Sequence, residues 1–362
     1  MRPQSVQPAG PECSRPLTGW YELAARPGSH HDCTLIVPTY QRPHEIVILM
    51  GAVAGLADCL AEIVVVDGSA DDNARDAILR WARPRDLRFD LIYVRSPAGL
   101  TRQRNIGLDA STKEFVYFLD DDRYPRADFF SKLCQVLRDD CAHEVGAVCG
   151  SFLNEVGKPL DRRWKVRFFL RLVPRDAQPG MYYPTATSVP RSMVPAFTGV
   201  RRVEIVPGGA TAFRREVFSK HRFSMFFDGY SQGEDLEMSL RIGKEWKLLW
   251  CGDAYVDHLH TPSGRTASLT KGRMEVRNRW FIWRRHTPRR RIIDRCRFWT
   301  DIPYIFVLDL ARYITHPLQF WHRAHPAGIF LSSAECFVHP PRYSEPQRYV
   351  PYDFTLTPLT GG

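Results

Sequence analysis

The stretch that decides the fold reads EFVYFLDDDRYP, from Glu114 to Pro125. Its apolar run, Phe115 to Leu119, lacks polar alternation, as expected of a strand covered on both faces. The run leads directly into Asp120, Asp121 and Asp122. Adjacent carboxylates repel one another and are costly to desolvate, so a triplet at the end of a buried strand needs a reason. A solvated turn is one. A divalent cation with an anionic ligand behind it is the other.

Similar apolar runs lie on either side: CTLIVP (33–38), EIVVVD (62–67), DLIYV (90–94) and VGAVCG (145–150). Between them the spacing predicts helices over 43–56, 72–83, 101–111 and 127–138, with Asp71 and Thr101 placed to cap the second and third. This alternation gives an α/β fold, a mostly parallel Rossmann-like sheet flanked by helices.

In such sheets ligands bind at the carboxyl ends of the strands. Here those ends read VPTYQRP, VVDGSADDN, VRSPAGLTRQRN and FLDDD. No G-x-G-x-x-G follows the first strand and no G-x-x-x-x-G-K-[ST] occurs, which speaks against a dinucleotide enzyme or a P-loop NTPase. If the chain leaves the fourth strand still extended, Asp120 and Asp122 point the same way, as a D-x-D clamp requires. Their hard oxygens suit Mg²⁺ or Mn²⁺, either of which can bridge two phosphates.

The segments TLIVPTYQRP, EIVVVDGSADD, GLTRQRNIGL and FVYFLDDDRYP, in that order and spacing, resemble the family 2 glycosyltransferases of the GT-A fold over about residues 32–265. The resemblance implies an inverting, metal-dependent transfer of a sugar from a nucleotide donor. By the same resemblance, Pro38, Thr39 and Tyr40 line the nucleotide pocket, Asp67 contacts the base and Arg104 approaches the nucleotide. Asp120 faces the ribose side of the donor and Asp122 ligates the metal with Asp120. Asp121 is grouped on the donor side, although its side chain can simply point away. Metal and arginine together would neutralise the departing diphosphate.

Further along, VPGGATAFRREVF (206–218) brings Gly208 and Gly209, either for close approach of the acceptor or for a tight turn. In GYSQGEDLEMSLRIGKEW, Glu234 and Asp235 open a helix, where the dipole favours acids. The resemblance makes this pair catalytic. An inverting transfer needs one carboxylate to take the acceptor proton, and Asp235 is the expected base with Glu234 beside it. In YVDHLHTPSGR, His258, or else His260, would complete the metal shell, and an imidazole tilts the preference toward Mn²⁺.

The organisation expected is a loose arm over 1–31 and a transferase domain over 32–265. The latter divides into a nucleotide-sugar half (32–150) and an acceptor half (151–265). A basic, aromatic helical extension covers 266–337 and a Pro-rich tail 338–362. The segment 151–204 shows no period and reads as a functional insertion. The net charge is +10, and 271–297 alone holds eleven Lys and Arg against Glu275 and Asp294. Such a stripe attracts phosphates. Apolar residues at helical spacing over 298–314 indicate packing.

The acceptor expected is a hydroxyl on a glycan or a lipid-linked molecule, with peripheral membrane contact and no nucleic acid. A sugar nucleotidyltransferase would carry a Gly-rich basic loop where PTYQRPHE stands, and a nucleic-acid binder would leave the strand-end acids unexplained. Nine cysteines without a C-x-x-C pair read as reduced thiols. With no apolar leader or spanning run, the expected location is cytoplasmic, peripheral at the inner face of the membrane.

Overall fold

The computed structural model describes residues 32–56, 59–227, 229, 231–259, 267–287, 291–315, 324–339, 341 and 357–358. The arm 1–31, His260 and most of the tail lie outside them. The chain begins as strand–helix alternation: β1 (Cys33–Thr39), α1 (Pro43–Ala54), β2 (Leu60–Asp67), α2 (Asn73–Ala82), β3 (Asp90–Arg95), α3 (Leu100–Ala110) and β4 (Phe115–Leu119). The order β3-β2-β1-β4 is parallel throughout.

Successive residues of these strands enter opposite cores, because a strand's side chains alternate. Leu35 and Val37 pack with Leu49 of α1, Ile78 of α2 and Leu133 of α4 (Phe129–Arg138). Ile36 packs the other way, with Ile106 of α3 and Met238 of α7 (Glu234–Ile242). Both faces are covered, which is why the strands read as unbroken apolar runs.

Beyond β4 the sheet becomes mixed. β8 (Ala210–Arg214) runs antiparallel to β4 and to β6 (Val145–Phe152). β9 (Lys247–His258) follows, with β5 (Arg123–Pro125) and β7 (Val200–Val203) antiparallel to it. The parallel expectation therefore describes the first four strands. β8 departs from it: after β6 the chain passes through the 153–199 excursion and β7, then enters between β4 and β6 antiparallel to both. α6 (Val217–Lys220) follows β8, and β10 (Thr357–Pro358) adds to the free edge of β3.

Two capping expectations change. Gly99 precedes α3 with φ 141°, a backbone region favouring glycine, so the helix starts one residue before Thr101. Thr101 instead donates from Oγ1 to the Phe227 carbonyl at 3.0 Å. Asp72 sits at the cap position of α2, while Asp71 accepts from the Asn73 amide at 3.1 Å.

The irregular insertion contains α5 (Arg162–Phe169), and the C-terminal region is α8 (Ser268–His286), α9 (Ile292–Thr315) and α10 (Ala324–Val338). Buried acids join them to the rest. Asp301 of α9, fully buried, accepts from Arg167 of α5 at 2.8 Å and from Arg279 of α8 at 2.5 Å. Glu237 of α7, equally buried, takes Arg241 at 2.9 Å and faces His286 at 3.3 Å and Arg285 at 3.5 Å. Burial works against both charges, yet the His286 hydrogen bond and Arg241 at Glu237, and Arg279 and Arg167 at Asp301, hold both carboxyls below their ordinary range. The basic stripe of 271–297 is thus partly internal: Arg279 and Arg285 serve these acids and Arg273 pairs with Glu335.

Asp301→Ala leaves two guanidinium groups in the interior without their carboxylate, and should lower the unfolding free energy by about 3–5 kcal/mol. Urea denaturation of the two proteins checks this; an unchanged midpoint would show that the clasp is dispensable.

Candidate active site

Parallel registry brings Thr39, Asp67 and Arg95 level at the ends of β1, β2 and β3. At this edge lies a cleft of about 710 Å³. Pro38, Thr39 and Tyr40 form one wall, Gly99 and Arg104 of the α3 start another, and Asp120 to Arg123 the floor. Gly208, Glu234, Asp235 and His258 close the remaining side.

The acid triplet does not stay extended. The Arg123 amide bonds back to the Asp120 carbonyl at 3.1 Å, and this tight turn sends the three carboxylates in different directions. Asp120 accepts from Arg104 at 3.1 Å and pairs with Arg123 at 2.9 Å. Burial raises its pKa, but Arg123 and Arg104 more than offset that, and it lies below the ordinary range. Asp121 does not point idly away. It accepts from Thr39 Oγ1 at 2.8 Å and Arg42 at 2.5 Å, while burial pushes it up to about 6. Asp122 lies 3.7 Å from His258 Nε2 and 3.6 Å from Arg42.

Strand pairing delivers that histidine: Arg123 of β5 sits opposite His258 of β9, one residue from Asp122. The His258 Nδ1 lies 3.3 Å from Glu155, which orients the ring with Nε2 toward Asp122. Asp122 and His258 are therefore one donor pair, carboxylate and imidazole, whereas Asp120 is committed to arginines. One or two protein ligands completed by phosphate oxygens is the usual arrangement for Mg²⁺ in nucleotide sites, so the pair fits a divalent cation. Among the described residues, three donors converge within 4.8 Å at Asp32, Cys33 and Cys134, away from the cleft at the start of β1.

Arg104 lies almost fully buried and bonds Glu234 at 2.8 Å with its other arm. Burial opposes its charge, and Asp120 and Glu234 outweigh it. The two glycines make room for this bridge. A Cβ on Gly208 would stand 2.5 Å from the guanidinium, and one on Gly209 2.3 Å from the Asp120 carboxyl. Their role is thus clearance for the ion pair, a third possibility beside acceptor approach and a turn.

Glu234 and Asp235 open α7 as expected and differ in environment. Burial and the Asp235 charge push Glu234 up to about 8 despite Arg104. Asp235, half-buried on the cleft wall, accepts from its neighbour's amide (Leu236) at 2.7 Å and from Gly208 N at only 3.4 Å. Asp67 is brought to the same edge but lies beneath the cleft wall, accepting from Ser69 N and Tyr93 Oη, both at 2.8 Å.

Sequence reading missed Arg42, Arg123, Gln103 and Glu155. Gln103 donates to the Thr39 and Val66 carbonyls at 2.7 and 2.8 Å, tying the ends of β1 and β2. Arg42 and Arg123 had a signal, since each stands beside a strand-end motif.

Residues 34–222, more than half of the chain, match the family described as Glycosyl transferase family 2. The chain belongs to that family. It is 33% identical over 131 residues to the succinoglycan biosynthesis protein ExoM of Rhizobium meliloti (strain 1021), a match covering 35% of this chain and only 40% of that relative's length. Among solved structures it is similar to the mannosyltransferase PcManGT of Pyrobaculum calidifontis in complex with GDP-Man and Mn²⁺. There the identity is 18% and the TM-score 0.54, over 89% of this chain and 91% of that one. It is also similar to GalNAc-T7 with UDP, GalNAc and Mn²⁺, at 16% identity and a TM-score of 0.50, over 68% and 48% of the two chains. The fold is accordingly that of the GT-A glycosyltransferases.

The raised Glu234 carboxyl gives a stability test with a definite sign. Its proton is held more tightly in the folded state than at the ordinary value of 4.5. The stabilisation is therefore complete below that value and is lost as pH rises through about 8. Glu234→Gln, which keeps an acceptor for Arg104 without the charge, should gain thermal stability relative to the parent as pH climbs across this window. Parallel melting curves at every pH would contradict the shift.

Proposed function

We propose that this glycosyltransferase moves a sugar, with inversion, from a nucleoside diphosphate donor to a hydroxyl of a glycan or lipid-linked acceptor, with Mn²⁺ or Mg²⁺ as cofactor. One observation supports this above others. The cleft is lined by four aspartates (Asp120, Asp121, Asp122, Asp235) and the Glu234 carboxyl, which burial keeps protonated up to about pH 8, against three arginines (Arg42, Arg104, Arg123). The acids outnumber the arginines, so a diphosphate entering this cleft is favoured by a divalent cation that enters with it. The Asp122–His258 pair would hold that cation, which, when bound, would neutralise charge on the leaving diphosphate.

The remaining steps belong to the chain's own side chains. Tyr40, 39% exposed on the wall, offers a stacking face for the nucleobase, with Pro38 and Thr39 beside it. Asp67 acts from behind, keeping the Ser69 turn and Tyr93 in place. Arg104, fixed by Glu234 and Asp120, presents a permanent positive charge to the nucleotide without reorganising. The weakly engaged Asp235 takes the acceptor proton, and Glu234, already bound to Arg104, positions that arginine.

Isothermal titration with UDP and GDP should show binding that requires Mn²⁺ or Mg²⁺ and is lost in Asp122→Ala. Salt-sensitive nucleic-acid binding without nucleotide binding would overturn the reading. Asp235→Asn should reduce transfer by about 100- to 10,000-fold while leaving donor affinity nearly intact. Loss of donor binding in that variant would instead make Asp235 a donor ligand.

A further inference from the structure

The last two helices carry an apolar face that the enzyme's own interior does not use. On α9, Phe298, Ile302 and Ile305 are buried, as the packing expectation for 298–314 requires. Further along, Val307, Leu310 and Ile314 turn outward. On α10, Phe330, Leu331, Phe337 and Val338 form a second outward stripe at helical spacing, and the last two are 69% and 70% exposed. The Phe306–Phe330 contact, with ring centroids 6.4 Å apart, joins the stripes.

α10 cannot roll to hide its stripe. Its opposite side crosses α8 through Gly272 and Gly328, where an added Cβ on either would stand 2.2 Å from a backbone oxygen of the other helix. So close a crossing fixes which face looks outward.

The charges are sorted as well. The acids of these helices turn toward cations of the chain itself: Asp294 to Arg291, Asp301 to Arg167 and Arg279, Asp309 to Arg163 and His325, Glu335 to Arg273. Arg284, Arg295 and Arg312 are exposed, and so are Ile292 and Ile293, between Arg291 and Arg295. Arginines beside apolar side chains at a surface match an anionic lipid interface.

We propose that the α9–α10 face seats the protein on an anionic lipid bilayer. A second copy fits less well, because a two-fold pairing of this face would bring Arg295, one turn from the exposed Ile292, toward its like-charged counterpart. Of the tail after α10, the described part pairs with β3 rather than with this face. Seating is at the surface, since no described helix is long and apolar enough to cross a membrane.

Vesicle sedimentation of the full chain tests this. Vesicles of phosphatidylglycerol mixed with phosphatidylcholine should carry the protein down at low salt, and phosphatidylcholine alone should bind at least about tenfold more weakly. The double variant Val307→Glu with Ile314→Glu, and separately Phe330→Ser, should lose vesicle binding with an unchanged circular dichroism spectrum. No binding to the mixed vesicles, or binding that both variants retain, would overturn the proposal. So would a dimer in sedimentation velocity that Val307→Glu dissociates, since a second copy would then cover the face. Metal-dependent nucleotide binding, titrated separately, should be unaltered in these variants, so failure of the donor reading and failure of the lipid reading are distinguishable.

Discussion

The site depends on one buried cation. Arg104 sits under the cleft with Asp120 on one arm and Glu234 on the other, and so joins α3, the end of β4 and the start of α7. Taking a guanidinium out of water is costly, and only well-placed carboxylates on more than one side offset it. Planar, forked geometry lets arginine serve two acids at once, which a lysine ammonium on a flexible stem does less well. The same requirement explains Gly208 and Gly209, since either side chain would displace one end of the bridge.

Around that bridge the fold separates charges that the sequence crowds together. Three consecutive aspartates would repel one another if they faced one ligand. The turn after β4 parts them: Asp120 takes Arg104 and Arg123, Asp121 takes Arg42, and Asp122, 3.6 Å from that same Arg42, gains His258 through the strand pairing of β5 with β9. Asp122 is left as the carboxylate facing an imidazole rather than locked between guanidinium groups. The arrangement of these side chains in the cleft therefore follows from a backbone hydrogen bond and a strand register as much as from residue type.

How much of this was legible depended on range. The parallel strands and their helices could be read because both faces of the sheet are buried, which leaves uniform apolar runs. Asp120, Asp122, Arg104 and Asp235 could be placed on one cleft because strand ends and a helix start converge there. β8 was hidden because ATAFR has little β-branched character and its glycine neighbours suggested a turn. The deviation of the triplet from an extended clamp was hidden because a turn hydrogen bond leaves no mark in composition. Asp67 looked like a wall residue from its position at a strand end, but its register with Arg95 and the neighbouring Tyr93 hydroxyl draws it under the surface.

The basic stretch shows the same limit from the other side. Counting charges along 271–297 predicts a surface, yet a helix distributes its residues around an axis, and only part of that charge faces water. Arg279 and Arg285 are drawn inside by Asp301 and Glu237, acids that stand outside the stretch in sequence and that no local count includes. Because the internal acids draw Arg279 and Arg285 inward, the exposed charge is carried by other arginines, Arg284 and Arg295 among them. Which side of α10 faces out is fixed separately, by the glycine crossing with α8, which leaves Phe330, Leu331, Phe337 and Val338 toward solvent.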